Sequence, residues 1–126
     1  MAAITPVGLV GRVSEVGTAA SRVILVTDSH FRVAATLASS RISGLVTGTS
    51  SGECLLTYLP LDAQIKEGEK VLTSGGRSFC PGEILIGVVG KPQVDSSKMF
   101  LVARVRPAVQ GGSLEEILIV QKNNGG

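Results

Sequence analysis

The apolar residues of this 126-residue chain come in short runs separated by glycine-rich turns, and no long stretch has the period of an amphipathic helix. The chain contains 16 glycines, and each would cost a helix about 1 kcal/mol relative to alanine. Aromatic residues make up only 3% of the chain, so its apolar content is mainly Val, Ile and Leu, which suit a pleated, half-buried surface. These features predict an all-β protein of many short strands joined by tight turns.

Segments with strand character recur along the whole chain. They are residues 8–16, 22–28, 31–39, 43–48, 54–60, a segment starting near 71, 84–90, 99–107 and 114–122. Strands at such regular spacing, with turn residues between them, are typical of a β-sandwich or β-barrel.

Two strands have side chains that alternate clearly between apolar and polar. In residues 99–107 the alternation places Leu101, Ala103 and Val105 on the inward face and both arginines outward. In residues 54–60 it places Cys54, Leu56 and Tyr58 together on one face. We therefore expect all three of these last side chains to lie on the same side of the sheet.

Charge and apolar run length exclude two classes of function. The net charge of +2 does not call for a polyanion, and the four aromatic residues are too few for base-stacking platforms. The longest apolar runs, such as residues 84–89, fall short of the ~20 residues that a membrane-spanning helix needs. The sequence contains no charged segment followed by an apolar segment, the pattern that marks a signal peptide. We therefore expect the chain to be soluble.

The sequence TSGG at residues 73–76 raises the hypothesis of an acyl-transfer site. Such a site needs a nucleophile, a base and a group that orients the base. The candidates are Ser74, Ser78 or Cys80 as nucleophile, His30 as base, and Asp28, Asp62 or Asp95 as orienting group. Chymotrypsin-like proteases, which are also β-barrels, carry Ser-Gly-Gly. In those proteases an acidic residue precedes the serine, whereas in this chain Thr73 occupies that position. The chain is also too short for two protease barrels, so a tight glycine turn is the favoured interpretation and we predict no catalytic residues.

Metal and cofactor sites have no support in the sequence. Cys54 and Cys80 are far apart and belong to no CxxC or Cys/His cluster, so no metal site is predicted. No glycine-rich phosphate-binding unit precedes a helix, and no cofactor is predicted. Cys54 is expected to be a small buried hydrophobic residue. Two cysteines permit one disulfide, and whether they form it stays an open question.

Five stretches in order resemble one family, the rod shape-determining protein MreC. GLVGRVSEV (8–16), SRVILVTD (21–28), SGLVTGT (43–49), CLLTYLPLDAQIKEGEKVLTSG (54–75) and LEEILIV (114–120) are each similar to a family motif. The resemblance extends to residue 122. In GRSFCPGEILIG, Phe79 and Gly82 fall one position earlier than in the family pattern.

The resemblance implies a fold of small six-stranded β-barrels, related to the chymotrypsin-type barrel but without its catalytic residues. We expect residues 1–122 to form one complete barrel and part of a second, and residues 123–126 to be a flexible tail. It further implies that the full-length protein is anchored by one membrane helix followed by a coiled coil. The chain would then begin after these segments, on the extracytoplasmic, periplasmic side of the inner membrane, and Met1 would not be the natural start.

The function implied is that of a non-enzymatic scaffold of the bacterial elongation machinery. Its expected partners are the elongation transpeptidase of the penicillin-binding class, MreD, the MreB cytoskeleton and further copies of itself. The partner-binding residues predicted are Phe79, Cys80 and Ile84, because an aromatic residue in a loop of small residues is hard to bury. A lid over one barrel end is the alternative for that loop. Alternative functions are a barrel that binds the cell-wall polysaccharide and a peptidase fragment.

Overall fold

The computed structural model describes residues 2–4, 8–16, 21–49, 53–75, 82–109 and 118–120. These residues form β-strands and connecting turns and contain no helix. The strands are β1 (Ala2–Ile4), β2 (Leu9–Val16), β3 (Ser21–Leu25), β4 (Arg32–Leu37), β5 (Ser43–Gly48), β6 (Cys54–Leu59), β7 (Lys70–Thr73), β8 (Leu85–Val89), β9 (Gln93–Val94), β10 (Leu101–Pro107) and β11 (Leu118–Val120). The predicted all-β fold is confirmed.

Six of the strands close into a barrel. Each pairs antiparallel with its neighbours in the order β4-β5-β6-β10-β8-β7, and β7 returns to β4. Strand β10 is the closing element, because its first half pairs with β6 (Arg104 opposite Leu55) and its second half with β8 (Val105 opposite Val89). The short strand β9 pairs with the first half of β10 along the edge opposite to β6. The predicted six-stranded barrel is therefore confirmed.

A second sheet contains four strands in the order β11-β1-β2-β3. Its pairing brings Ala2 opposite Val120, so the first and last described residues are neighbours across the sheet. The interpretation of this sheet as part of a second barrel stays a prediction, and residues 123–126 lie outside the described part of the chain. Among the described residues, no helix is long and apolar enough to cross a membrane.

Apolar side chains from all six barrel strands fill the interior. They include Val33, Ala35, Leu37, Val46, Cys54, Leu56, Leu59, Val71, Ile86, Val89, Leu101, Ala103 and Val105. Burying a side chain the size of valine or leucine contributes about 1.5–3 kcal/mol. The same cluster extends to Ala2 and Leu9 of the second sheet, so the two sheets share one core.

The connection from the second sheet into the barrel is a pair of tight turns. The N–H of Asp28 donates to the carbonyl of Leu25 at 2.9 Å, and the N–H of Phe31 donates to the carbonyl of Asp28 at 2.9 Å. Gly48 lets this connection approach β5, because a Cβ at that position would overlap the Asp28 carbonyl oxygen. These turns end β3 at Leu25, whereas the sequence predicted a strand through residue 28.

The predicted faces of β10 are confirmed, whereas one prediction for β6 is wrong. Leu101, Ala103 and Val105 are buried, and the two arginines between and after them are exposed. In β6, Cys54 and Leu56 are buried but Tyr58 is exposed and Leu59 is buried in its place. A bulge causes the difference, because two residues of β6, Thr57 and Tyr58, stand opposite the single residue Val102 of β10.

Candidate functional site

The base of the β7–β8 loop is held closed by hydrogen bonds between its two ends. The N–H of Thr73 donates to the Ile84 carbonyl at 2.9 Å, and the N–H of Ile84 donates to Oγ1 of Thr73, also at 2.9 Å. The N–H of Glu83 donates to the Thr73 carbonyl at 2.7 Å. Thr73 is almost completely buried, and its hydroxyl accepts a hydrogen bond from the partly buried backbone of Ile84.

The predicted partner-binding residues belong to this loop. Ile84 is half-buried and packs against the core, so only part of its side chain is available to a partner. Phe79 and Cys80 lie outside the described residues. The role of all three residues as a partner contact stays a prediction.

Of the described candidates for an acyl-transfer site, the base contacts a predicted orienting group, but the serine is bonded elsewhere. The Ser74 hydroxyl lies 2.7 Å from the Thr36 hydroxyl on the neighbouring strand β4. His30 pairs with Asp28, one of the predicted orienting groups, whose Oδ1 accepts the His30 N–H at 2.8 Å and lies 3.0 Å from the ring Nδ1. The backbone N–H of His30 is the main cause that lowers the pKa of Asp28, and its side chain adds to the effect.

The remaining members of that hypothesis add no base or nucleophile. The Asp95 carboxylate accepts the N–H of Ser97 at 2.9 Å, which lowers the pKa of Asp95, and Asp62 is exposed. Ser78 and Cys80 lie outside the described part of the chain. No serine–histidine pair is therefore assembled among the described residues, and the hydroxyl of Ser74 serves a cross-strand contact.

Cys54 lies in the barrel interior and has the expected character of a small hydrophobic residue. Its thiol is free, and burial raises its pKa to about 12. A thiol with that pKa is almost entirely protonated at neutral pH, and only the thiolate is a good nucleophile or metal ligand. No group of three His, Cys, Asp or Glu residues able to hold a metal occurs within the described residues.

A cleft of about 520 Å³ opens beside Cys54, where strands β6 and β10 separate. Their pairing ends at Leu55 and Arg104, while β10 continues along β8. An ion pair joins Glu53 and Arg104 at 3.3 Å in the wall of the cleft. Both side chains are largely exposed, so this pair contributes well under 1 kcal/mol.

The structure also presents an exposed apolar surface that sequence reasoning missed. It consists of Tyr58 and the Phe100 ring that it contacts, with centroids 4.7 Å apart, and we call it the apolar corner. Tyr58 is exposed, and Leu61, Val94 and Met99 are further exposed apolar side chains among the described residues. No local sequence signal could have found it, because Tyr58 and Phe100 are distant in sequence and meet only through the pairing of β6 with β10.

The backbone at Tyr58 is in the left-handed region, with φ at 62°. A bulky residue seldom adopts a positive φ, and the conformation costs on the order of 1–3 kcal/mol. The bulge between β6 and β10 imposes this conformation and turns the ring outward onto Phe100. The apolar corner therefore depends on a strained backbone at Tyr58, and the tyrosine side chain stays exposed.

The fold and these surfaces define a small all-β protein, built from one closed barrel and an attached sheet, that presents an apolar corner to its surroundings. Residues 1–121 match the family model described as "Rod shape-determining protein MreC, barrel core". The chain belongs to this MreC family.

Individual relatives agree with this assignment. The cell shape-determining protein MreC of Cereibacter sphaeroides is 35% identical over 117 residues, which cover 93% of this chain and 37% of that protein. The chain thus spans less than half the length of this relative. A solved structure of MreC has a TM-score of 0.81 at 28% identity, and the match covers 92% of this chain and 66% of that one.

A third comparison concerns the fold alone. A chain in the solved complex between Penicillin-Binding Protein (PBP2) and MreC from Helicobacter pylori has a TM-score of 0.74 at 16% identity. The match covers 89% of this chain and 69% of that one.

Proposed function

We propose that this chain is a non-enzymatic scaffold of the bacterial cell-elongation machinery. It helps to maintain rod shape by binding the elongation transpeptidase of the penicillin-binding class and by associating with further copies of itself. It works at the extracytoplasmic face of the inner membrane, together with MreD and the MreB cytoskeleton. Membership of a shape-determining family is the observation that carries this proposal.

Two further observations support the proposal. The chain has the fold of a protein from the solved complex of PBP2 with MreC from Helicobacter pylori, so this kind of fold is compatible with such a complex. In the hydrolase hypothesis, His30 contacts the candidate orienting group Asp28, but the Ser74 hydroxyl bonds to Thr36, so no described contact joins the serine to the histidine. A binding role needs neither of these side chains to be activated.

The proposed binding depends on apolar contacts more than on charge. The net charge is +2, which gives little electrostatic steering, and the aromatic side chains of the apolar corner can be removed from water on binding. Phe79, Cys80 and Ile84 of the β7–β8 loop are proposed as a further contact. Added salt is therefore expected to weaken binding only slightly.

A calorimetric titration of this chain against the periplasmic part of the transpeptidase, at low and high salt, tests the proposal. We expect saturable binding that changes less than threefold between the two salt concentrations. A parallel titration with soluble cell-wall fragments is the control, and it should give no heat of binding. Binding to wall fragments but not to the transpeptidase would overturn the scaffold function in favour of a polysaccharide-binding barrel.

A further inference from the structure

We infer that a groove along the outer face of β10 binds an extended, acidic segment of a partner protein. The inference rests on the proposed function and names the surface and the kind of segment through which the transpeptidase would be bound. Two clefts, of about 520 Å³ and about 400 Å³, share Gly90 and Arg104 in their walls and together form this β10 groove. Both volumes lie in the range of about 300–1,000 Å³ that is usual for ligand-binding clefts.

Strand pairing places the side chains of the β10 groove on one face of the barrel. Arg104 stands opposite Leu55 of β6, and Arg106 stands opposite Val88 of β8. Directly opposite residues of paired strands project from the same face, and Val102 shares that face because it lies two positions before Arg104. The three apolar side chains are half-buried, whereas both arginines are exposed. The groove therefore has an apolar floor with cationic side chains above it.

One edge of β10 loses its partner strand beside the larger cleft. The carbonyl of Arg104 accepts the N–H of Gly90 at 2.7 Å, so Arg104 and Arg106 direct their backbone groups towards β8. Val105 lies between these arginines and directs its N–H and C=O the other way, towards the cleft. The pairing of this edge with β6 ends at Arg104. A strand edge without a partner strand binds an extended segment, because the segment supplies backbone hydrogen bonds.

Two glycines in the walls leave space for the backbone of such a segment. Beyond its chain neighbours, a Cβ at Gly90 would have one heavy atom within 4 Å, the carbonyl oxygen of Arg104 at 3.5 Å. A Cβ at Gly68, in the wall of the larger cleft, would lie in open space. Glycine beside a strand often marks a site where another backbone approaches closely. Both positions therefore favour close approach by a polypeptide.

The charges of the groove favour an acidic segment. Lys91, Arg104 and Arg106 are exposed in its walls, together with the acidic residues Glu53 and Glu67. Glu53 is already paired with Arg104 at 3.3 Å, and Arg106 has no ion-pair partner among the described residues. An acidic side chain of the bound segment would pair with Arg106. Because this contact is exposed, it selects the segment, while the apolar floor supplies most of the affinity.

The charge requirement favours a different protein over a second copy of this chain. The described strands at the edges of the two sheets are β3, β9 and β11, which are the elements that a second copy would offer for strand addition. None of these three strands contains an acidic residue, and β3 contains Arg22. A strand from a second copy would therefore place no negative charge beside Arg106.

Two substitutions, each with a matched control, test the groove. Gly90→Leu fills it where the two clefts meet, and the space around a Cβ at that position admits the side chain. Ser43→Leu adds the same side chain at an exposed position of β5, which does not neighbour β10. Arg106→Glu reverses the unpaired charge, and Arg32→Glu makes the same charge change on β4, across the barrel from β10. Far-UV dichroism and thermal melting verify that all four variants fold.

Calorimetric titration with the periplasmic part of the transpeptidase compares the variants with the wild type. We expect Gly90→Leu to bind at least tenfold more weakly and Arg106→Glu at least threefold more weakly, with both controls within twofold of the wild type. Wild-type affinity in Gly90→Leu overturns the groove as the contact surface while the scaffold function stands. Unchanged affinity in Arg106→Glu overturns the acidic character of the segment. A wild type that does not bind overturns the scaffold function, and the inference falls with it.

A synthetic peptide tests whether the occupant is an extended segment. The probe is a short peptide with blocked ends that alternates valine with aspartate, and its counterpart with lysine in place of aspartate is the control. We expect the aspartate peptide to shift the amide NMR signals of Gly90 and Val105, and the lysine peptide to leave them unchanged. No shift from either peptide, or equal shifts from both, overturns the inference.

Sedimentation of the chain alone tests the alternative occupant. We expect the wild type and Gly90→Leu to give the same distribution of species. A wild-type dimer that Gly90→Leu abolishes would show that a second copy occupies the groove, which overturns the inference.

Discussion

The carboxylate of Glu69 lies 2.6 Å from the backbone nitrogen of Ser40, although 29 residues separate them in the chain. The same oxygen accepts the N–H of Ser39 at 2.9 Å. The side chain thereby ties the start of β7 to the turn between β4 and β5. Burial raises the pKa of Glu69, but the N–H groups of Ser40 and Ser39 lower it by more, so its pKa lies below the usual 4.5.

Glu69→Gln is expected to lower the free energy of unfolding by about 1 kcal/mol at pH 7. The amide keeps the shape and one acceptor oxygen, but hydrogen bonds to a charged acceptor are stronger than those to a neutral one. The measurement is urea unfolding of both proteins. Glu67→Gln is the matched control, because Glu67 is exposed and two positions away, and it should change stability by less than about 0.5 kcal/mol. Equal losses in the two variants would contradict the role of Glu69.

The stability of the wild type is expected to fall in acid because of the same carboxylate. The folded state holds the pKa of Glu69 below its unfolded value of 4.5. The carboxylate therefore makes its full contribution to the free energy of unfolding at pH values above 4.5. The contribution is lost as the pH drops through the lower, folded-state pKa. Urea unfolding between pH 7 and pH 3 should show a smaller decrease for Glu69→Gln than for the wild type. Parallel pH profiles would rule out Glu69 as a source of the acid sensitivity.

Thr73→Val is expected to destabilise the chain by about 1–3 kcal/mol, because the partly buried N–H of Ile84 loses its acceptor, Oγ1 of the buried Thr73. The neighbouring substitution Ser74→Ala removes only an exposed hydroxyl pair with Thr36 and should lose at most about 1 kcal/mol. Thermal melting of the two variants measures the difference.

Ser74→Ala should also bind the transpeptidase as the wild type does. A folded Ser74→Ala protein that fails to support rod shape would contradict the non-enzymatic function.

Cys54 is expected to resist alkylation in the folded protein. Burial raises the pKa of its thiol to about 12, and the side chain is 2% exposed, so both thiolate and access are lacking at pH 8. Iodoacetamide treatment followed by peptide mapping should show Cys54 unlabelled in buffer and fully labelled in denaturant. Rapid labelling of Cys54 in buffer would show that the barrel opens beside the cleft more often than the structure indicates.

The barrel strands could be predicted from the chain itself because their information is local. The side chains of a strand alternate between two faces, so the pattern from Leu101 to Val105 determines both the strand and its inward residues. Family motifs spread along the chain then identify the kind of barrel. Neither inference requires knowing which strands are neighbours.

Several of the contacts described above join residues that are distant in sequence. No local pattern predicts that Glu69 meets Ser40, or that the Ser74 hydroxyl meets Thr36, 38 residues away. The alternation in β6 placed Tyr58 on the same face as Cys54 and Leu56, and it failed because β6 contributes an extra residue to its pairing with β10. A bulge of this kind is decided when two distant strands pair around a closed barrel, since closure sets how many residues each strand must supply. The sequence by itself therefore determined the strands and the family, whereas tertiary pairing decided that Tyr58 faces water beside Phe100.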